Sequence, residues 1–348
     1  MGVRRRAILS VLALAAAGGA YEVLGGNLFR QQLRSTMVKL YRWFDRAPRL
    51  TVATFHRIGD KSRITPAHVR HHMEYLARYN DVVLPSTFAS LGVPKGAAMV
   101  TVDDCHQDIY WHLFPVAQAL RIPFTICVPT DSFFRRHWLW FDQFYWMLER
   151  APADAEVEAG GQRLRVGSAE SVASMKSFLK RRLPAERDRL LASMGQQLKC
   201  VPPPAPQDGY ESATQEQMKE MLASGLVEIC AHSVTHTIAT VLPDDTLRDE
   251  LRRSKEELER FCEREVVCFC YPNGEDGDFD ARTTEAVKGM RHKLALTSVE
   301  GTNPFPFDPY LVRRVHAHEV VSVFEKEASG LGDLQQRLKS WVSPAKVG

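Results

Sequence analysis

Several features that would assign a function by class are missing from this sequence. Net charge is almost absent: 45 Lys and Arg against 42 Asp and Glu leave a formal +3. That balance makes no electrostatic case for a polyanionic partner. No long basic stripe interleaved with aromatics runs along the chain, so nucleic-acid binding is set aside. The seven cysteines include no C-x-x-C pair, which removes the common structural zinc frameworks. Cys127, Cys230, Cys268 and Cys270 each lie in an apolar, strand-like run, where free cysteine behaves as a small core hydrophobe. Such thiols argue against a disulfide scaffold and weakly against an oxidising compartment. There is no internal repeat and no low-complexity tract. The longest apolar run, Ala7 to Ala20, falls short of the roughly 20 residues that a membrane-spanning helix needs.

What is present is an ordinary globular composition. The 348 residues are 45% hydrophobic and 25% charged, enough for one large barrel with extensions. Arg4, Arg5 and Arg6 precede the apolar run, and small residues at 15–17 and 18–20 offer cleavage sites. This is the pattern of a secretory signal, or of an uncleaved anchor if the segment to Leu28 joins it. Arg5-Arg6-Ala7-Ile8-Leu9 also fits a twin-arginine export signal loosely. Export to the periplasm, or anchoring to the membrane by the N-terminus, is the expectation, and the leader pattern outweighs the cysteines.

Beyond the leader, 1–26, a linker or membrane-surface helix is expected over 27–48, an α/β body over 49–325 and a tail helix over 326–348. Strands are expected at Leu50–His56, Asp81–Leu84, Ala97–Val102, Phe124–Val128, Val227–Ala231, Val266–Tyr271, Leu294–Leu296 and Leu311–Val315. Helices fall between them, at Pro66–Asn80 with Thr65 as N-cap, Ile109–Leu120, Asp245–Glu263 and Asp280–Gly289. Strand-then-helix alternation implies parallel strands with helices outside. The stretch 132–225, opening on an aromatic cluster from Trp138 to Trp146, breaks the rhythm and is expected to be a helical insertion over the barrel mouth.

In such folds active-site groups stand at the carboxyl ends of strands. Asp103, Asp104, His232 and Pro272–Gly274 each follow a buried strand, and His56 ends one. Adjacent carboxylates leaving a strand diverge, and burying them requires a compensating cation. By themselves they are as readily a solvated Asp turn. His232 and His236 have a metal-ligand spacing and share one face if the segment is helical; a pair of surface histidines is the bland alternative. Together with a carboxylate from another strand end they make three protein ligands with an open position, the catalytic arrangement.

The ordered set Thr101-Val102-Asp103-Asp104, His232-Ser233-Val234-Thr235-His236 and Phe269-Cys270-Tyr271-Pro272-Asn273-Gly274 resembles the polysaccharide deacetylase family, the NodB-like carbohydrate esterase family 4. Phe55-His56-Arg57-Ile58 and Trp140-Phe141-Asp142 resemble features of its exopolysaccharide-modifying members. The likeness runs from about Leu50 to His318. It implies a distorted (β/α) barrel, a divalent metal that is usually zinc, and hydrolysis of N-acetyl groups on a glycan or glycolipid. Carried over, Asp103 is the general base and Asp104, His232 and His236 hold the metal. The oxyanion would take a backbone N–H of Asn273. Two alternatives accompany this reading: another amide or O-acetyl ester as substrate, or a glycan-binding protein with a decayed site.

The shell departs from the family pattern. Cys105 replaces the usual Gly, Cys270 stands where an Arg orients the base, and Asn273 stands for Tyr. Arg313 or Arg314 is the candidate replacement guanidinium, with a rim salt bridge as the alternative; Arg314 is also counted with Asn273 as a substrate or oxyanion contact. The proton donor is His316 or His56. Trp138, Trp140, Phe141, Tyr145 and Trp146 suggest a sugar-stacking platform, although packing within the insertion explains them at least as well.

Overall fold

A computed structural model describes residues 27–45, 47–91 and 96–342; the expected leader and the end of the expected tail lie outside them. No helix among the described residues is long and apolar enough to cross a membrane.

Helix α1 (Asn27–Phe44) leads into β1 (Arg49–Phe55), then α2 (Pro66–Tyr79), β2 (Asp81–Val82), α3 (Pro85–Leu91) and β3 (Ala97–Val102). A π-helical turn at Ile109–Leu113 runs into α4 (Phe114–Leu120), followed by β4 (Phe124–Val128) and α5 (Thr130–Arg135). Next come α6 (Trp140–Arg150), a hairpin of β5 (Glu156–Ala159) and β6 (Gln162–Arg165), α7 (Ala169–Lys180), α8 (Pro184–Leu198) and α9 (Gln215–Ala223). The alternation resumes with β7 (Val227–Ala231), α10 (Asp244–Cys262), β8 (Cys268–Cys270), α11 (Ala281–Gly289) and β9 (Leu294–Glu300). The described chain ends with β10 (Asn303–Pro304), β11 (Val312–His316), α12 (Val321–Ser329) and α13 (Leu331–Val342).

Seven parallel strands close into the expected distorted barrel in the order β1-β3-β4-β7-β8-β9-β11, with β11 returning to β1. Short β2 adds beside the start of β3, and β10 pairs antiparallel with the start of β1. β3 and β4 are buried along their whole length, which explains why they read as unbroken apolar runs.

Alternate residues of each strand feed two cores. Leu50, Val52, Met99, Leu294 and Leu296 fill the barrel, together with Cys127, Cys230, Cys268 and Cys270. Ala53, Phe55, Val100, Val102 and Ile126 face the surrounding helices. The cysteines are therefore the small side chains of a packed barrel interior, and all seven thiols of the chain are free.

The helices start where local chemistry starts them. Thr65 caps α2 with a capping box completed by His68, and Pro66 opens the first turn. Asp280 does the same for α11 with Thr283. On α10, Leu247, Leu251, Ser254 and Leu258 are buried at helical spacing. The insertion has a core of its own, built from Trp140, Phe144, Met147, Leu164, Leu179, Leu191 and Met194. It is not purely helical: β5 and β6 turn through Gly160 and Gly161, both at positive φ, and bury only Val157, Ala159 and Leu164.

Candidate active site

β1, β3, β7, β8 and β11 deliver His56, Asp103 and Asp104, His232, Asn273 and His316 to one end of the barrel. These residues line a cleft of about 200 Å³. Trp140, Phe141, Lys176 and Lys180 of the insertion and Glu275 complete its wall.

Asp103 extends the β1–β3 ladder through its backbone N–H to the Phe55 carbonyl, 2.9 Å. Asp104 then adopts φ 70°, which swings the second carboxylate to the other side. Cys105 follows at φ 58°. The left-handed turn that Gly would make freely is thus kept with a Cβ, at a cost of about 1–2 kcal/mol. The Cys105 thiol is buried in the outer core.

His232 and His236 are not on a helix, the condition under which their spacing alone would put them on one face. They lie on a loop that turns through positive φ at Ser233 and at His236 itself, 60° and 53°. Those two turns, not helical periodicity, bring the rings together. The Nε2 atoms are 3.1 Å apart, and Asp104 Oδ1 is 3.2 Å from His236 Nε2 and 3.8 Å from His232 Nε2. All three side chains are buried. His232 Nδ1 is 2.7 Å from the Cys270 carbonyl, so it carries a proton and turns Nε2 toward the cluster. Two imidazole nitrogens and a carboxylate oxygen, with Asp104 Oδ1 lacking any well-formed hydrogen bond, converge as a buried set of possible ligand atoms. Such a set fits a cation and is unfavourable without one.

The loop is clamped from behind by Glu250 of α10. Its carboxylate accepts from the backbone N–H of Val234 and Thr235 at 2.8 and 3.0 Å, and from the Thr235 hydroxyl at 2.8 Å. From the insertion, buried Arg187 donates to Thr237, whose hydroxyl is 2.8 Å from that of Thr235.

Arg314 corrects one sequence assignment. It does not face the cleft as a substrate or oxyanion contact; it is fully buried behind Asp103. Its guanidinium donates to both Asp103 oxygens at 2.8 Å, and to the Thr297 carbonyl, Thr54 Oγ1 and Ser298 Oγ. It supplies from β11 the guanidinium whose usual place is held by Cys270, whose Sγ lies 3.9 Å from both Asp103 oxygens. Burial alone would raise the Asp103 pKa, but Arg314 outweighs it and holds the carboxyl well below the usual range. Arg313 instead pairs with Asp333 on the rim, 3.1 Å.

His56 and His316 both border the cleft, their rings stacked at 6.4 Å. His56, its side chain half exposed at the cleft, has Nε2 3.5 Å from Asp103. His316 Nε2 is 2.9 Å from the Ser298 carbonyl and 3.8 Å from Glu300. Asn273 sits at the edge in the left-handed region, φ 61°, with its amide turned to Glu275 and Asp278. Of the aromatic cluster, Trp140 and Phe141 reach the cleft. Trp138 and Trp146 pack on each other and bond to Pro203 and Asp208.

The sequence reading did not single out His106. It lies two residues beyond Asp104 and is buried 2.7 Å from Asp142 of α6. Burial works against its charge, yet Asp142 outweighs it and raises the pKa. The pair ties the insertion to the turn that carries Asp104. Glu250 was equally hidden, since on the sequence it is one acid among many on a charged helix.

The chain was compared with known proteins. Residues 191–295 match the profile of the polysaccharide deacetylase family, a span that includes His232 and His236 but not Asp103 and Asp104. No curated protein sequence matches the chain. Among solved structures it is similar to IcaB from Ammonifex degensii, with TM-score 0.54, 18% identity, and coverage of 81% of this chain and 98% of that one. It is also similar to the Streptococcus pyogenes deacetylase PplD, with TM-score 0.52, 14% identity, and coverage of 83% and 99%. A third is BC0361, a polysaccharide deacetylase from Bacillus cereus, with TM-score 0.51, 15% identity, and coverage of 83% and 69%. At these identities the likeness speaks for the fold. The family match, carried on that fold, makes the chain similar to the polysaccharide deacetylases over residues 191–295.

Proposed function

We propose that the chain is a metal-dependent de-N-acetylase of a glycan or glycolipid, with the metal held by Asp104, His232 and His236 and with Asp103 as general base. One observation carries the reading: the buried cluster of two imidazole Nε2 atoms and an unsatisfied carboxylate oxygen, which has the donor set of a cation site. Imidazole and carboxylate donors suit zinc, and three of them leave a position open. A bound divalent ion supplies Lewis acidity toward the acetamide carbonyl and acidifies a water molecule.

The chain's own residues do the rest. Asp103, kept ionised by Arg314, takes a proton from the attacking water. Both its oxygens are fixed by the guanidinium, so the acceptor orbital direction is set before substrate arrives. Asn273, at the cleft edge, supplies a backbone N–H toward the developing oxyanion. His316 gives a proton to the departing amine. Its Nε2 lies 2.9 Å from the Ser298 carbonyl, which keeps a proton on that nitrogen at the cleft wall, whereas His56 Nε2 is turned to Asp103. Products are acetate and a free amino sugar.

The leader pattern, Arg4 to Ala20, supports an enzyme that is exported or tethered to the membrane. A reporter fused to residues 1–27 that stays wholly cytosolic contradicts that placement.

The test of the activity is metal removal. Protein stripped by chelator is expected to lose acetate release from an N-acetylglucosamine oligomer and to regain it with zinc. A protein that binds no divalent metal and stays inactive after zinc or cobalt is added is a binding module. Release from O-acetylated but not N-acetylated sugars makes it an esterase.

A further inference from the structure

We propose that the solvent face of α1 is an interfacial surface that rests on an anionic lipid bilayer. The helix has two opposite faces. Met37, Val38 and Tyr41 are buried against the body. Leu28, Phe29, Gln32, Thr36, Lys39, Leu40 and Trp43 are exposed, and their spacing of three to four residues puts them in one stripe. Leu28 is 80% exposed, Phe29 58% and Trp43 66%.

Scattered exposed apolar residues need no explanation, but a contiguous set does. Ten large apolar side chains stand exposed among the described residues, and Leu28, Phe29, Leu40 and Trp43 of α1 account for four of them. A fifth, Tyr79 of α2, lies beside them, with Arg42 4.3 Å over its ring.

Charge selects the occupant. α1 carries no acidic residue; Lys39 stands in the exposed stripe with Arg42 at its edge, while Arg30 and Arg34 lie on the side of Met37 and Tyr41. Lys39 and Arg78 border the same hollow as Trp43 and Tyr79. Of the acids beside it, Asp45 is taken by Arg49 and Tyr41, and Glu325 by Ser35 and His71. Apolar and aromatic side chains flanked by Lys and Arg are the composition of a helix lying in a headgroup layer. Anionic lipid, moreover, attracts each such base.

The direction of the helix agrees. Ser35 bonds Glu325 and Arg42 bonds the Ala328 carbonyl, so α1 runs parallel to α12. α12 leaves β11 at the mouth and ends at Ser329, whose carbonyl accepts from Arg49 at the barrel floor. The chain thus enters α1 from the mouth side. The sequence just before it is the basic and apolar stretch from Arg4 to Ala20.

The experiment uses the full-length protein, the Trp43→Phe variant and vesicles of phosphatidylcholine with phosphatidylglycerol bearing bromine on the acyl chains. Bromine quenches only indoles that enter the apolar layer. The expected result is quenching of wild-type emission, with a discrete share lost in Trp43→Phe although both proteins sediment with the vesicles. Vesicles of phosphatidylcholine alone are expected to quench less. Three results overturn the proposal: equal fractional quenching of the two vesicle-bound proteins, which means α1 stays off the lipid; equal quenching with and without phosphatidylglycerol, which removes the anionic requirement; or concentration-dependent self-association without lipid that Trp43→Ser abolishes, which makes the face a dimer contact. Thermal midpoints of the variants, expected to match the wild type at so exposed a position, show that the fold is intact.

Discussion

Arg314 and Asp103 form a fully buried ion pair, and the geometry sets what each does without the other. Replacing Arg314 with Met leaves a buried carboxylate unpaired. The expected loss is about 3–5 kcal/mol in urea unfolding. Arg314→Lys keeps the charge but not the two-pronged grip and should fall between. A Met variant as stable as wild type would show that the pair is not the support described here. Glu300 makes a different case. Burial first, and then the nearby Glu327, push its carboxyl up from 4.5 to about 7. The unfolded chain loses this proton at the lower pH and the folded chain at the higher, so stability declines as pH rises through that interval. Glu300→Gln should flatten the decline and gain about 1 kcal/mol at mildly alkaline pH, discounted because the side chain is partly exposed. Unfolding midpoints on either side of the interval check it, and an unchanged slope contradicts it.

At the scale of elements, the loop 232–236 depends on α10. Three hydrogen bonds to Glu250 hold it, and a carboxylate that accepts from two N–H groups cannot be copied by an amide with its own donors. Glu250→Gln is expected to weaken zinc binding about 10–100-fold by chelator competition, as loss of a supporting partner does at metal sites. Unchanged affinity would show that the loop holds its own shape. The same loop shows where sequence reading ends. Its strand, β7, was legible residue for residue, because Val227, Ile229, Cys230 and Ala231 make a short apolar run broken only by Glu228. The turns at Ser233 and His236 were not, because non-glycine residues at positive φ leave no compositional mark. Likewise Asp103, Asp104, His232 and His236 stood out by type and by position after strands. Arg314's partner was open in the sequence because the two meet across a barrel closed by residues over two hundred positions apart. The β5–β6 hairpin had only the Gly160-Gly161 pair to announce it, among charged residues that read as helix.

The molecule as a whole is a closed barrel with a second core above its mouth, and the cleft lies between them. Trp140 and Phe141 belong to the insertion yet line the cleft, and His106–Asp142 and Arg187–Thr237 pin it to the turns that carry Asp104 and His236. The insertion's core should therefore matter to the site. Met194→Ala, at a fully buried position, is expected to cost about 2–5 kcal/mol. If the insertion supports the cleft, it should also raise KM for a glycan oligomer; stability lost with unchanged kinetics would make the insertion a passive cover. Strand alternation and the ordered motifs made the barrel legible from the sequence, while the joints between the two cores rest on single residues without a pattern.

The most direct test of the central assignment compares Asp103→Asn with wild type, measuring bound metal and acetate released from an N-acetylglucosamine oligomer on the same samples. Both proteins are expected to hold about one divalent ion, because Asp103 is not among the ligands, and acetate release should fall at least roughly 10²–10⁴-fold in the variant. Release at the wild-type rate from the variant, or from wild-type protein free of metal, would contradict the account.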